Sequence, residues 1–356
     1  MKMQENIPLQ NFTAFRTGGP ARYFSRVKNI GQLKEAVRFA KEKKIPFFVL
    51  GRGANLLVSD EGFCGLVIKM EMKGIKFENM TFVRQTTNCR VARKKNNVVR
   101  VTALAGETWD SLVEKTVRRK LAGLENLSLI PSTVGAAAVG NIGAYGTEVK
   151  DTVFFVEALN AETMKVKKFS NKKCDFGYRE SFFKTKNGKK YIVTQVSFNL
   201  KKNGELKTNY KDVQEYFSSK KNAAPSLKNV REAIIAIRAK KLPDVSFVGT
   251  AGSFFKNPIV SKRKADALKK TYPDLRIFAS ETGRVKLSAG FLLDKICGFR
   301  GYKKGNIGAW TNQALVLVNY GGGTTKEILN FADMIKKKVK EKTGIELEME
   351  VQVINK

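Results

Sequence analysis

Residues 129–150 read LIPSTVGAAAVGNIGAYGTEVK. Small residues crowd around Asn141-Ile142-Gly143-Ala144-Tyr145-Gly146, a run too glycine-rich for a stable helix. Two readings are open: a flexible loop, or a backbone laid against a large flat ligand. A linker would be polar and this run is apolar, which favours the ligand. A second glycine-rich turn lies upstream, where the apolar stretch 45–50 (IPFFVL) runs straight into Gly51-Arg52-Gly53-Ala54-Asn55. Without Cβ atoms, such a turn lets backbone N–H groups approach a diphosphate, and Arg52 adds charge. The turn is not GxGxxG, and LLVSD after it has the pattern of a strand, so the usual dinucleotide βαβ fingerprint is absent. Taken alone it is only a tight turn.

Around these turns helical and strand periods alternate. Residues 30–44 place Leu33, Val37 and Ala40 on one helical face, and residues 109–121 do the same with Leu112, Val113 and Val117. Residues 45–50, 56–60, 65–70, 98–105, 153–169 and 190–200 have strand patterns. Composition turns polar and loop-like over 203–229, which marks a boundary. Beyond it Val230, Ala233, Ile234 and Ile237 form a helix stripe that stops before Pro243. The last helix opens on Thr324-x-x-Glu327, a capping-box pattern, and stops near Gly344. A strand-like LEMEVQVI follows.

Composition removes whole classes of chemistry. The 356 residues contain no histidine, which excludes Ser-His-Asp triads, Cys-His pairs, HExxH zinc sites and His-ligated haem. Proton transfer must fall to Ser, Cys, Tyr, Lys, Asp or Glu. Cys64, Cys89, Cys174 and Cys297 are scattered, with no CxxC pair, and suit free thiols in a reducing compartment. The opening MKMQENIPLQNF lacks the apolar core of a secretory signal. No run of about 18 uncharged apolar residues predicts a membrane span. The formal net charge is +34, which raises a polyanion partner. The lysines, however, are spread along the chain, and the densest clusters, KEKK at 41–44 and KKKVKEK at 336–342, are interleaved with glutamate. A solvated basic surface is the plainer reading, and no specific nucleic-acid partner is expected. Gly252-Ser253-Phe254-Phe255-Lys256-Asn257-Pro258 sets a serine between glycine and two aromatics. On pattern alone it is a turn serine, although a neighbouring cation would let it donate a proton.

Nine segments carry a family resemblance in a fixed order: NFTAFRTGGPARYF, VLGRGANLLVSDEGFCGLVIKM, GLENLSLIPSTVGAAAVGNIGAYGTEVKD, FGYRESFFK, KLPD, AGSFFKNP, KLSAGFLLDKICGFRGYKKG, NQALVLVN and LEMEV. Together they resemble the UDP-N-acetylenolpyruvoylglucosamine reductase family over nearly the whole chain. The insert TNYKDV is similar to its type I branch. The resemblance implies an α+β fold. A FAD-binding domain of the vanillyl-alcohol-oxidase (PCMH) type occupies 1–75 and 76–215 as two subdomains. The strand at 345–356 returns to complete the first, and an α+β substrate-binding domain covers 228–344. It also implies NADPH-dependent, FAD-mediated reduction of UDP-N-acetylenolpyruvoylglucosamine by a cytoplasmic monomer, with no membrane partner.

Residue by residue, the resemblance makes Arg179 the active-site arginine and Ser253 the proton donor. Glu350 would act in protonated form to stabilise the enolic intermediate. Negative charge building on the carboxylate side of the substrate needs such fixed donors and cations. The resemblance assigns FAD contacts to Gly51, Arg52, Gly53, Ala54, Asn55, Pro131, Ser132, Val134, Gly135, Asn141, Gly143, Ala144, Tyr145 and Arg238. It assigns the nucleotide-sugar substrate to Tyr210, Lys241, Asn257 and Gln313, with no metal. The chain departs from the family pattern at Ala54 (commonly Ser), Ser132 (commonly Gly) and Gly140 (commonly polar). The usual histidine before QAL is also missing, within Ala309-Trp310-Thr311-Asn312.

Overall fold

A computed structural model describes residues 2–83, 93–219, 225–279 and 283–355; Cys89 lies outside them. The chain divides into two compact units. The first comprises Met1–Gln4, Phe24–Gly51 and Leu66–Arg238, and the second Glu5–Tyr23, Arg52–Gly65 and Ala239–Lys356.

The first unit is built on an antiparallel sheet ordered Val166–Ser170, Val153–Asn160, Tyr191–Lys202, Arg93–Leu104, Ile75–Val83. Alternation along its central strands sends Val101, Ala103, Val196, Phe198 and Leu200 to one buried face. The helix Trp109–Arg118 closes over that face, with Trp109 edge-on to Phe198 at 6.0 Å. It is shorter than its apolar period predicts because Lys120 turns into the left-handed region at φ 56°. The helix Ile30–Glu42 buries Leu33, Ala36, Val37 and Ala40, and Asn29 caps it by accepting from the Gln32 N–H at 2.9 Å. The strands Phe47–Leu50 and Phe63–Met70 pair in parallel, from Phe47 opposite Leu66 to Leu50 opposite Lys69.

Two stretches differ from their sequence reading. Within the glycine-rich run, Val134–Val139 is a helix. Three alanines favour it, and Thr133 caps it by accepting from the Ala136 N–H. The polar segment 203–229 contains a helix, Lys211–Ser219, whose buried Val213 packs with Val230, Ile234 and Ile237 of the helix Leu227–Lys241.

The second unit packs around the helix Thr325–Thr343, which buries Ile328, Phe331, Ala332, Ile335 and Val339. Its capping box forms as the sequence predicts: Glu327 Oε2 accepts from the Thr324 N–H at 2.8 Å, and Thr324 Oγ1 accepts from the Glu327 N–H at 3.1 Å. Gly344 ends it at φ 64°. Two three-stranded antiparallel sheets flank the core, Lys303–Lys304/Ile307–Trp310/Gln313–Asn319 and Ile259–Val260/Val285–Leu287/Ile277–Ala279. Of LEMEVQVI only Gln352–Ile354 is regular strand, pairing in parallel with Leu56–Val58. Among the described residues no helix is long and apolar enough to cross a membrane.

Candidate active site

In the first unit, the run 131–148 is a backbone held from beneath. The N–H of Val134 donates to Glu107 O and that of Gly135 to Ala105 O, both at 2.9 Å. A Cβ on Gly135 would stand 2.8 Å from Ala105 Cβ, so glycine is what lets the helix Val134–Val139 sit this close. Gly51 is packed in the same way, its missing Cβ 2.9 Å from Thr133 Oγ1, and Lys69 donates to its carbonyl. Pro131 is exposed and Ser132 half-buried; the Ser132 carbonyl accepts from Trp109 N. Asn141 is fully buried and committed to the protein. Its amide donates to Glu148 Oε2 at 2.9 Å and Gly177 O at 2.8 Å, and its Oδ1 accepts from the Lys150 N–H.

Ala144 and Thr147 pair across a two-residue turn in which Tyr145 and Gly146 stand at φ 48° and 78°. Positive φ at both central residues is the hairpin geometry that right-twisted strands favour. The turn presents Tyr145, which meets Tyr210 edge-on at 5.4 Å and lies beside the Arg238 guanidinium. Burial pushes the Tyr145 phenol up to about 12. Burial also pulls the Arg238 guanidinium down from its usual value, against the opposing pull of Tyr145 and Asp110. The buried Nε of Arg238 has no hydrogen-bond partner among the described residues.

Arg179 sits at φ 58° in a tight turn closed by the bridge between Gly177 and Glu180. Its Nη2 donates to Gly143 O at 2.7 Å, and its own carbonyl accepts from Lys184 Nζ at 2.6 Å. The first unit therefore gathers Arg179, Gly143, Ala144, Tyr145, Tyr210 and Arg238 through direct or shared contacts.

In the second unit, Gly53 stands at φ 66°, and a Cβ there would lie 1.9 Å from Phe12 O. The N–H groups of Arg52, Gly53 and Ala54 find no acceptor among the described residues. The loop is tied to the C-terminal segment by Asn55 Nδ2, which donates to Glu350 O at 3.0 Å. Segment 253–256 lies between two others: Ser253 bridges Val316, Phe254 N donates to Leu315 O, and Glu350 N donates to Phe254 O at 2.8 Å. Ser253 is exposed and Glu350 half-buried. Phe254 and Phe255, both buried, anchor the segment. Asn257 Oδ1 accepts from the Ala289 N–H, and Gln313 Oε1 stands 3.0 Å from the Cβ that Gly290 lacks. Lys241 is the last residue of the helix Leu227–Lys241 and is half-exposed. The second unit thus joins Asn55, Ser253 and Glu350 into one backbone network, while Asn257 and Gln313 border the 288–291 turn and Lys241 closes the helix Leu227–Lys241.

Sequence reasoning missed two supporting groups in the first unit. Asp110 accepts from both Nη atoms of Arg231 at 2.6 and 2.8 Å and from the Leu129 N–H at 2.6 Å. In sequence it is an ordinary first-turn acid, with no signal of a partner on a distant helix. Asn126 lies inside the quoted segment GLENLS, but a single amide carries no periodicity that would mark it.

A family model described as the UDP-N-acetylenolpyruvoylglucosamine reductase C-terminal domain matches residues 243–354, and one for a FAD-binding domain matches 21–167. A UDP-N-acetylenolpyruvoylglucosamine reductase of Flavobacterium johnsoniae is 39% identical over 99% of this chain and 100% of its own length. One from Pseudomonas aeruginosa is 37% identical over 98% of each. The crystal structure of the Thermus caldophilus reductase superposes with a TM-score of 0.65 at 25% identity, covering 99% of this chain and 100% of that one.

Proposed function

The chain belongs to the UDP-N-acetylenolpyruvoylglucosamine reductase family, and from that membership we propose the part each of its site residues plays. It is a FAD-dependent oxidoreductase that uses NADPH to reduce UDP-N-acetylenolpyruvoylglucosamine to UDP-N-acetylmuramate in peptidoglycan precursor synthesis.

The residues fit the cofactor. Three adjacent N–H groups without acceptors among the described residues, at Arg52, Gly53 and Ala54, suit diphosphate oxygens. The buried Nε of Arg238 suits a further acceptor. Residues 51–55, the backbone of 131–146 and Arg238 would hold FAD. Asn141 and Gly135 serve by shaping that backbone, since the amide of one and the missing Cβ of the other are taken up by protein. Bound there, FAD would supply hydride transfer from NADPH to the vinyl carbon of the substrate.

Reduction at that carbon throws negative charge onto the substrate carboxylate side. Arg179, its guanidinium anchored on Gly143 O, would stabilise that charge. Glu350 would stabilise the enol, and Ser253 would deliver the proton that completes the lactyl ether. Tyr210, Lys241, Asn257 and Gln313 would bind the nucleotide sugar, the lysine as a point charge for the diphosphate. The observation that carries this reading is the backbone network that sets Ser253 and Glu350 on adjoining segments, with the bond from Glu350 N to Phe254 O between them.

We extend the reading to a cytoplasmic monomer. A nucleotide-sugar substrate, a reduced nicotinamide donor and three free cysteines among the described residues suit a reducing compartment. Of the proposed division into 1–75 with 345–356, 76–215 and 228–344, the return of the C-terminal strand has support in the pairing of Gln352–Ile354 with Leu56–Val58. The experiment is Ser253→Ala followed by stopped-flow absorbance. NADPH should still bleach the flavin at the wild-type rate, while turnover with the enolpyruvyl nucleotide falls at least a hundredfold. Normal turnover by this variant would remove serine from the mechanism.

A further inference from the structure

Residues 204–209 form a strap with neither helix nor strand, between the strand Tyr191–Lys202 and the helix Lys211–Ser219. The strap ends on Tyr210, whose carbonyl accepts from the N–H groups of Val213 and Gln214 and so begins that helix. Whatever fixes the strap fixes Tyr210. At its surface Lys207 pairs with Asp151 at 2.9 Å, but the lysine is 53% exposed and such a pair contributes little. The buried tie is different. Asn126, 1% exposed, spends both hydrogens of one amide: Nδ2 donates to Lys207 O at 2.8 Å and to Tyr145 O at 2.9 Å. One side chain therefore bonds the strap that ends on Tyr210 and the turn that carries Tyr145, and the two tyrosine rings meet edge-on.

We propose that Asn126 is a positioning residue that latches the strap to the Tyr145 turn and so presents Tyr210 to the nucleotide-sugar substrate. The inference rests on the assignment of Tyr210 to that substrate. The Tyr145 turn has its own support in the pairing of Gly143 and Ala144 with Glu148 and Thr147 and in the side chain of Asn141, whereas among the described residues the strap, beyond the packing of Leu206, takes its buried side-chain hydrogen bond from Asn126. Loss of the latch thus falls on substrate binding and spares the flavin.

The test is Asn126→Asp, which is nearly isosteric and turns the shared donor into a carboxylate facing two carbonyl oxygens. At pH 8 the KM for the enolpyruvyl nucleotide should rise roughly five- to tenfold, the worth of about one buried hydrogen bond. The flavin dissociation constant and the rate of flavin reduction by NADPH should stay within twofold of wild type. Burial opposite two carbonyl oxygens raises the new carboxyl above the ordinary carboxylate range, so lowering the pH toward 6 protonates it, restores one donor and should shrink the KM ratio of variant to wild type; a lesion from altered packing would not recover. In a Tyr210→Ala background the substitution should add nothing further, because the latch acts through Tyr210. Should Asn126→Asp lose flavin, Asn126→Ser replaces it with a single hydroxyl donor; flavin loss in both overturns the latch. So does an unchanged KM, or a penalty that adds in full to that of Tyr210→Ala. Wild-type enzyme inactive on the enolpyruvyl nucleotide would instead sink the underlying functional reading.

Discussion

Removing one charge, by Asp110→Asn, tests how the helix Leu227–Lys241 is held within the first unit. Asp110 makes two charge-assisted bonds to Arg231 and a third to the Leu129 N–H, with side-chain exposures of 27% for Asp110 and 13% for Arg231. An exposed pair is worth about 0–1 kcal/mol, and breaking a fully buried one costs about 3–5 kcal/mol. This pair lies between those limits. Asparagine keeps the acceptor for Leu129 and one acceptor for Arg231, so the expected loss is about 2 kcal/mol. The chain has two tryptophans. In a Trp310→Phe background the fluorescence of buried Trp109, next to Asp110, reports denaturant unfolding of the first unit. The pH dependence has a definite sign. Burial pulls the Asp110 carboxyl up, but the Arg231 guanidinium and the Leu129 N–H outweigh it and hold the carboxyl below the usual range. A depressed folded value means that this stabilisation is complete above the unfolded carboxylate range near pH 4 and is lost as pH falls through the folded value. The wild-type advantage should therefore be flat from pH 7 to about 5 and shrink only in strong acid. A double-mutant cycle with Arg231→Met should return a coupling of about 2 kcal/mol at pH 7. A coupling below about 0.5 kcal/mol, or a wild-type advantage that grows on acidification, would refute the reasoning.

Two further outcomes follow from the same contacts. Gly53→Ala sets a Cβ 1.9 Å from a backbone oxygen at φ 66°, so it should destabilise the second unit by 3 kcal/mol or more, measured by Trp310 fluorescence, and weaken FAD binding by at least tenfold in a fluorescence titration; retained affinity would show that the turn has room to move. Because burial holds the Tyr145 phenol near 12, Tyr145→Phe should leave the absorbance titration of the tyrosines unchanged below about pH 11. A missing phenolate signal near pH 10 in that variant would mean the ring is solvated.

The ends of elements were legible because their signals are local. Thr324 caps the helix that its capping-box pattern announces, and Gly344 stops that helix in the conformation glycine allows. The stripe Val230, Ala233, Ile234 and Ile237 is buried as its 3.6-residue period requires. Local reasoning failed where local signals conflict. Glycine argued against helix in 131–148, but the alanines, the Thr133 cap and the close seat on Ala105 make Val134–Val139 helical. The polarity of 203–229 hid Lys211–Ser219, whose single buried Val213 becomes informative only beside Val230 and Ile234.

From sequence alone came the chemistry open to the protein, through the missing histidines, and its family, through nine motifs in order. Both survive because residue identity and order do not depend on the path of the chain. The identity of the neighbours was decided by tertiary structure. That Glu350 N would bond Phe254 O, that Asp110 would hold Arg231, and that Asn126 would tie Lys207 to Tyr145 are pairings between residues far apart along the chain. No local period encodes such contacts; they follow from which strand pairs with which and which helix face a core can bury. The run 129–150 shows both sides. Its composition announced a backbone packed closely against something, and the fold supplied Ala105, Glu107 and Arg179 as the first of those contacts.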